Sequence, residues 1–358
     1  MASKKLRIGI IGTGGISNAH YNGYTKSGLG EIVAISDVSA EALQKRSADW
    51  DVPEDRCFTD YRKMLKLDDV EAVSICTPNK YHAKQTIDAL KAGKHVLCEK
   101  PMSMTVPEAK RMVETAEKCN RQLQIGLMHR YRPEAEFVRQ LVDEGMLGEI
   151  YYARCQAVRR RGVPSWGVFG RMEEQGGGGL IDIGVHQIDL TWWMMGCPTP
   201  VSVTGQAYRT IGDKPGHFGS FGPWDHKTYT VEDFASAYVR FENGATMSIE
   251  CSFNVNLNED KQSQQIVGTK GGAGLSPLMV QMEQLGHLTD CTPHHMMMLD
   301  LQGKKCNWSS HEKEVADFCN NVLKDKPVSV PGSEAIWTQK IINAIYKSAD
   351  TGKEVKIS

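Results

Sequence analysis

The chain lacks an excess of charge of either sign: 42 Lys and Arg stand against 43 Asp and Glu, a formal net charge of −1. That balance removes the electrostatic footprint of a protein built to bind nucleic acid or an anionic membrane. The only basic cluster, Arg159-Arg160-Arg161, reads as a solvated strand end. Long hydrophobic runs are missing too, since no stretch approaches the roughly 18 uninterrupted apolar residues of a spanning helix. The basic start, Met1-Ala2-Ser3-Lys4-Lys5, looks like the head of a secretory signal. The apolar run behind it is broken at once by Arg7 and by Gly12-Thr13-Gly14-Gly15, and it reads as a first strand. Cysteine is not scarce, with ten in 358 residues, but no two are spaced C-x-x-C. This excludes both a small disulfide framework and a zinc ribbon, and it suits reduced thiols in a cytoplasmic protein. Cys291-x-x-His294-His295 has ligand chemistry on paper. It stands in a Met-rich, weakly patterned stretch far from the other motifs, so no metal is expected. Internal repeats and low-complexity tracts are absent.

What is present divides the chain in two. A length of 358 residues exceeds what one hydrophobic core serves, because single cores stop growing near 250–300 residues. From Leu6 to Met128 short apolar runs alternate with helical periods, the grammar of a doubly wound parallel sheet. Strands are predicted at Leu6–Ile11, Glu31–Asp37, Cys57–Thr59, Ala72–Thr77, His95–Glu99 and Leu123–Leu127. Helices are predicted at Tyr81–Ala92, stopped by Gly93, and at Val106–Cys119, with Pro107 in the first turn. After Met128 the pattern changes to α+β. A helix over Pro133–Glu144 ends at Gly145. Strand-like runs then follow at Glu149–Val158, Val201–Tyr208, Thr230–Phe241, Ala245–Asn256 and Gln264–Gly268. Asn243-Gly244 signals a type I′ hairpin, and the whole implies a large open, mostly antiparallel sheet. A helix over Leu180–Met195 is inserted in this series, and helices at His311–Lys324 and Ser333–Ala349 close the chain. The division expected is a nucleotide-binding domain over 1–128 and a substrate and oligomer domain over 129–358, with C-terminal helices free to pack back on the first. Gly212–Lys227, rich in glycine and aromatics, is a loop with the character of a lid or an oligomer contact.

The first strand runs into Gly12-Thr13-Gly14-Gly15-Ile16-Ser17 and a helix. Such a turn needs one glycine to fold tightly and a second to let backbone approach a pyrophosphate. A third small residue lets the helix sit on the strand. Gly12 and Gly14 fill the first two roles, and Ser17 stands where Gly or Ala is usual. The free N–H groups of Gly15, Ile16 and their neighbours then face an anion. Asp37 closes the second strand about 20 residues on, where a carboxylate binds ribose hydroxyls and repels a 2′-phosphate. NAD is therefore favoured over NADP. Glu99-Lys100-Pro101 ends the fifth strand, and ligands bind beyond the carboxyl ends of such strands, so Lys100 points into a cleft. Pro101 stiffens that exit and admits a cis bond.

The run Gly176–Gly179 leads into Leu180-Ile181-Asp182-Ile183-Gly184-Val185-His186-Gln187-Ile188-Asp189. On a helix Asp182, His186 and Asp189 share one face, and Ile181, Ile188 and Trp192 share another that can bury. The glycines allow close approach of backbone to a ligand. An alcohol dehydrogenation needs a base for the hydroxyl proton, and His186 suits it. Asp182 binds a neighbouring hydroxyl or orients the imidazole, and Lys100 stabilises the developing alkoxide. His129, Tyr152, Trp166 and Trp224 are candidate substrate contacts, since aromatic faces stack on sugar C–H surfaces.

Together these motifs resemble the Gfo/Idh/MocA family of oxidoreductases. To the glycine turn they add Thr77-Pro78-Asn79 with His82, Glu99-Lys100-Pro101, Arg130-Tyr131-Arg132-Pro133, Gly179-Leu180-x-Asp182-x-Gly184-x-His186-x-x-Asp189 and Glu314…Asp317-Phe318…Pro327. The resemblance implies a catalytic trio of Lys100, Asp182 and His186. It implies an NAD site lined by Thr77, Pro78, Asn79, His82 and Glu99, with Arg130 near the nicotinamide and pyrophosphate. It also implies a small polyhydroxylated substrate (a sugar, glycoside or cyclitol) and a homodimer or homotetramer formed through the second domain's sheet. Two other readings of the same motifs are a glycosidase or lyase that retains NAD and oxidises its sugar transiently, and a non-enzymatic NAD-dependent sensor.

Overall fold

The computed structural model describes residues 4–358, so the first three residues of the signal-like start lie outside it. The chain forms two compact units. The first comprises the residues up to Tyr131 together with Met298–Ile336, and the second comprises Arg132–Met297 and Trp337–Ser358. Among the described residues no helix is long and apolar enough to cross a membrane.

In the first unit the strands are β1 (Leu6–Ile11), β2 (Gly30–Ser36), β3 (Cys57–Phe58), β4 (Ala72–Ile75), β5 (His95–Glu99) and β6 (Leu123–Gly126). They form one sheet in the order β3-β2-β1-β4-β5-β6, all pairs parallel. The connecting helices are α1 (Ser17–Ser27), α2 (Ala40–Trp50), α3 (Tyr61–Met64), α4 (Asn79–Lys91) and α5 (Val106–Lys118). Strand β4 lies entirely buried and β1 nearly so, because helices cover both faces of such a sheet. The chain order reverses beside β1, and there the carboxyl ends of β1 and β4 open the crevice in which doubly wound folds bind ligands. Gly93 takes positive φ and stops α4, and a Thr105–Glu108 capping box starts α5.

The core of this unit is completed from far along the chain. Helix α9 (Ser310–Leu323) places Val315, Phe318 and Cys319 among Ile8, Ile10, Tyr24 and Leu97. Gly23 on α1 makes this possible: a Cβ there would stand 2.8 Å from Val315 Cγ1. The glycine is needed for close helix packing and not for a turn.

In the second unit a helix α6 (Pro133–Asp143) precedes a sheet of nine strands. These are β7 (Ile150–Val158), β8 (Pro200–Tyr208), β9 (Phe234–Phe241), β10 (Thr246–Ser252), β11 (Lys261–Gly268), β12 (Gly271–Leu275), β13 (Met279–Gln284), β14 (His287–Asp290) and β15 (Val355–Lys356), in the order β14-β13-β12-β11-β7-β10-β9-β8-β15. Helices α7 (Met172–Gln175) and α8 (Val185–Met194) follow β7, and α10 (Gly332–Thr351) runs on into this unit. Along β7, Ala153, Cys155 and Ala157 are buried on the side where Cys155 meets Thr191 of α8. Tyr152, Arg154 and Gln156 alternate onto the opposite, open face.

The sheet is mostly antiparallel, as expected, and β7 pairs with β10 in parallel. The long connection between these two strands permits that crossover, which sequence order alone does not disclose. Three predictions from sequence need correction. The Asn243-Gly244 turn is not type I′, since Gly244 takes φ +83° while Asn243 stays out of that region. Phe241 O accepts from Gly244 N–H and Phe241 N–H donates to Ala245 O, which makes a three-residue loop with its glycine in the left-handed position. The run Thr230–Phe241 becomes strand only from Phe234, because Glu232 and Asp233 turn their carboxylates to other segments. Leu180–Met195 is not a uniform α-helix. It opens with a π-helical turn over Leu180–Gly184 before α8 begins.

Replacing Phe318 by Ala should cost about 3–5 kcal/mol, the usual range for emptying a buried aromatic site. Urea unfolding followed by tryptophan fluorescence measures it, and a loss below about 1 kcal/mol would remove α9 from the core.

Candidate active site

The glycine turn in the first unit is built against β4. Gly12 adopts φ +89°, and a Cβ there would lie 2.6 Å from Cys76 O, so only glycine fits. Above Gly14 and Gly15 there is open space. Ser17, fully buried, donates its hydroxyl to Gly14 O at 2.6 Å and ties the turn to the helix. The third small position thus contributes a bond that Gly or Ala would lack. Ile16 is the N-cap of α1, with no side-chain cap and no acidic residue in the first turn, whereas Ser39 caps α2. An uncapped helix end beside open space presents N–H groups to an anion.

Asp37 lies beside this turn. Its Oδ2 accepts from Thr13 N–H (2.8 Å) and Thr13 Oγ1 (3.0 Å), and its Oδ1 from Ser39 N–H (3.0 Å). A carboxylate accepts about four bonds, so Asp37 spends most of its capacity on the scaffold and keeps less for ribose hydroxyls than the sequence suggests. Arg46 also comes closer than its place in the sequence indicates, its Nε donating to Thr13 O at 3.2 Å.

Behind the Lys100 strand exit runs a buried polar chain. Glu99 Oε1 meets His20 Nε2 at 2.9 Å, His20 Nδ1 meets Ser74 Oγ at 2.9 Å, and Ser74 Oγ meets Tyr24 OH at 2.6 Å. Lys100 N–H closes onto Glu99 Oε2 at 3.2 Å. Burial drives the Glu99 pKa up, yet the His20 hydrogen bond and the charges of His20, His311 and Lys100 hold it below the usual carboxylate value. The Lys100–Pro101 bond is cis. Neither His20 nor His311 belongs to the predicted site. A single histidine on α1 or α9 carries no local signal of its partner.

The remaining predicted cofactor residues are mostly built into the scaffold. His82 is buried with its ring nitrogens 2.7 Å from Thr77 O and Pro101 O, bracing the ends of β4 and β5 against each other. Burial depresses its pKa against the pull of those carbonyls. Thr77 Oγ1 donates to Gln85 Oε1 at 2.6 Å, Pro78 occupies the N-cap position of α4 without a side-chain bond, and Asn79 is the first residue of that helix. Arg130 is buried in an ion pair with Glu334, and His129 beside it is half-buried.

In the second unit Asp182 lies in the π turn, buried at 8% exposure, and His186 is half-buried in the first turn of α8. They stand one turn apart on a stretch whose Ile181, Ile188 and Trp192 are buried as predicted. Asp189 has a structural task, being buried and accepting from Thr338 Oγ1 at 3.1 Å. The preceding glycines need a different explanation from ligand approach. A Cβ on Gly177, Gly178 or Gly179 would strike Tyr346, Val231 or the Ser252–Phe253 backbone, so they let the chain pass through its own core. Tyr152 is displaced from the predicted site. Its hydroxyl meets Ser248 Oγ at 2.9 Å on the open sheet face, away from α8. Trp166 and Trp224 are brought together, lining a cleft of about 160 Å³ with Phe169 and Tyr229. Trp166 is 57% exposed and stands edge-on to Phe169 and Phe221. Among the described residues no cluster of His, Cys, Asp and Glu is arranged to hold a metal.

Residues 6–127 match the NAD-binding Rossmann fold of the Gfo/Idh/MocA oxidoreductase family, and residues 139–357 match its C-terminal α/β domain. The chain belongs to this family. As a Gfo/Idh/MocA member it is an NAD-binding oxidoreductase, and the glycine turn, the uncapped α1 and the Asp37 carboxylate fit that cofactor. It is 35% identical to the D-glucoside 3-dehydrogenase of Escherichia coli K12, covering 100% of this chain and 99% of that one. The myo-inositol 2-dehydrogenase of Thermotoga maritima is 24% identical, with 98% of both chains covered. A solved levoglucosan dehydrogenase in complex with NADH and levoglucosan shares the fold, with a TM-score of 0.85 at 22% identity, covering 99% of this chain and 100% of that one.

Two substitutions test these placements. Asp37→Ala removes a charged acceptor worth about 1.5–3 kcal/mol, so NAD affinity should fall roughly 10- to 100-fold by titration calorimetry. An unchanged Kd would take Asp37 out of the cofactor site. His20→Ala leaves Glu99 buried without its main donor, and unfolding free energy at pH 7 should drop by about 3–5 kcal/mol. The folded Glu99 pKa is depressed, so the pair's contribution is present above the unfolded value of 4.5 and is lost as pH falls through the folded one. The gap between the two proteins should therefore narrow in acid, and a gap independent of pH would refute the assignment.

Proposed function

We propose that this protein oxidises a secondary hydroxyl of a sugar, glycoside or cyclitol, or reduces the matching ketone, with His186 as general base and Lys100 and Asp182 assisting. The observation that carries the reading is the Asp182–His186 pair. Two polar side chains are kept one turn apart on a helical stretch whose Ile181, Ile188 and Trp192 are buried on another face. Placing a carboxylate there is costly without a task for it.

Bound NAD supplies the two-electron acceptor for the carbinol carbon. The protein's own residues handle the proton and the charge. An imidazole titrates near neutrality and accepts the hydroxyl proton without a large driving-force penalty. Asp182 orients that imidazole or accepts from a neighbouring hydroxyl, and the Lys100 ammonium steadies the alkoxide as it forms. The full-length likeness to a D-glucoside 3-dehydrogenase favours a pyranoside among the polyhydroxylated candidates. Trp166 and Trp224 offer aromatic faces suited to the C–H surface of a sugar ring.

The same reading assigns self-association to the open face of the nine-stranded sheet, where Tyr238 is 40% exposed among Arg154 and the Gln156–Glu250 pair. The ten free cysteines suit a reducing, cytoplasmic compartment.

A panel of glucosides, free sugars and inositols assayed for NAD reduction tests the reaction. The expected result is one NADH released per keto-sugar formed. Cleavage of a glycoside without net NADH would overturn it. His186→Ala should lower kcat by about 10²–10⁴, and a wild-type rate would remove it as the base.

A further inference from the structure

Glu232 is a buried carboxylate with no part in the chemistry described above. It sits just before β9 at 5% exposure, and its two oxygens converge on the segment that leads into the Asp182–His186 helix. Oε2 accepts from Gly178 N–H at 2.8 Å, and Oε1 accepts from Leu180 N–H at 2.9 Å and from Tyr346 OH at 3.0 Å. Burial raises the pKa of Glu232, and the bonds from Leu180 and Gly178 work in the opposite direction.

The first N–H groups of any helix lack partners within it, and a neighbouring Ser, Thr, Asp or Asn normally supplies one. Here the local chain offers none. Gly179 precedes the π turn and Gly184 precedes α8, and neither position carries a side-chain cap. The capping carboxylate comes instead from Glu232, 52 residues beyond Leu180. A negative group at that end also complements the helix dipole. The hold is two-pronged, taking both the first and third residues of Gly178–Leu180. Asp182 follows two residues later, its N–H bonded to Gly178 O at 3.0 Å. The carbonyl and the N–H of Gly178 are thereby engaged at once, one by Asp182 and the other by Glu232. Gly178 passes so close to the chain before β9 that a Cβ there would stand 2.9 Å from Val231 Cγ2.

We propose that Glu232 is a positioning residue for the reaction, a remote N-cap that sets where Asp182 and His186 stand. The inference rests on the catalytic roles assigned to those two residues under the proposed function. Placement errors near 1 Å cost about 10²-fold in rate, and a cap held through two backbone bonds and braced by the Tyr346 hydroxyl is a means of avoiding them.

The test compares Glu232→Ala, Glu232→Gln and Tyr346→Phe with His186→Ala, using the full-length enzyme. Glu232→Ala should lower kcat about 10²-fold while the Kd for NAD stays within about twofold of wild type. Glu232→Gln keeps an oxygen for Leu180 and Tyr346 but turns an amide toward Gly178 N–H, so it should recover about tenfold of that loss. Tyr346→Phe removes the outermost donor and should lower kcat by about threefold with NAD binding unaltered. It also carries the test if the Glu232 variants do not fold. Wild-type kcat in the folded Glu232 variants, or in Tyr346→Phe if only that variant folds, overturns the proposal. So does a kcat loss matched by an equal loss of NAD affinity, or Ala and Gln variants with equal rates. If His186→Ala itself keeps the wild-type rate, the catalytic reading beneath the proposal fails. If His186→Ala is inactive and Glu232→Ala is not, the positioning role alone fails.

Discussion

A carboxylate withdrawn from water must gather hydrogen-bond donors or give up its charge, and this constraint organises the functional parts of both units. Glu99, buried at the end of β5, takes His20 on one oxygen and the Lys100 backbone on the other. Glu232 takes the entrance to the Asp182–His186 helix. Asp233, next in sequence and nearly inaccessible, takes the N–H groups of Thr210, Ile211 and Gly212. In each case the acid is fixed because it needs donors, and the donors come from segments distant in sequence or at the ends of elements. Adjacent residues Glu232 and Asp233 thereby tie the start of a helix and the start of the Gly212–Lys227 loop to the same end of β9.

Glycine does the complementary task of admitting close contact. Gly12 lies against the Cys76 carbonyl and Gly23 against Val315, while Gly177, Gly178 and Gly179 thread between Tyr346, Val231 and the end of β10. A run of four glycines reads naturally as a ligand-facing loop, and here Gly177, Gly178 and Gly179 meet a packing requirement while Gly176, at φ +78°, ends α7. Gly14 and Gly15 are the contrast, because nothing stands over them, and that is where an anion fits.

The electrostatic character of the two halves follows from these contacts. In the first unit the donors around Glu99 lower its pKa and keep an anion beside the Lys100 strand exit. In the second, burial dominates at Glu232 and raises it. The same residue type is tuned in opposite directions by the balance between desolvation and available donors.

Sequence alone determined what depends on neighbours within a few residues. The parallel strands of the first unit, the glycine turn, the lysine at the end of β5 and the burial of Ile181, Ile188 and Trp192 all follow from local periodicity and turn chemistry. Tertiary structure decided what depends on segments meeting from a distance. It set the parallel partner of β7, the placement of α9 under Gly23, the face on which Tyr152 falls and the structural employment of Asp189. It also chose the caps, giving His20 to Glu99 and Glu232 to Leu180. The physical reason is that a backbone period reveals which face of an element is apolar. A buried polar atom, by contrast, reveals only that it needs a partner, and that partner is selected when the chain returns through space.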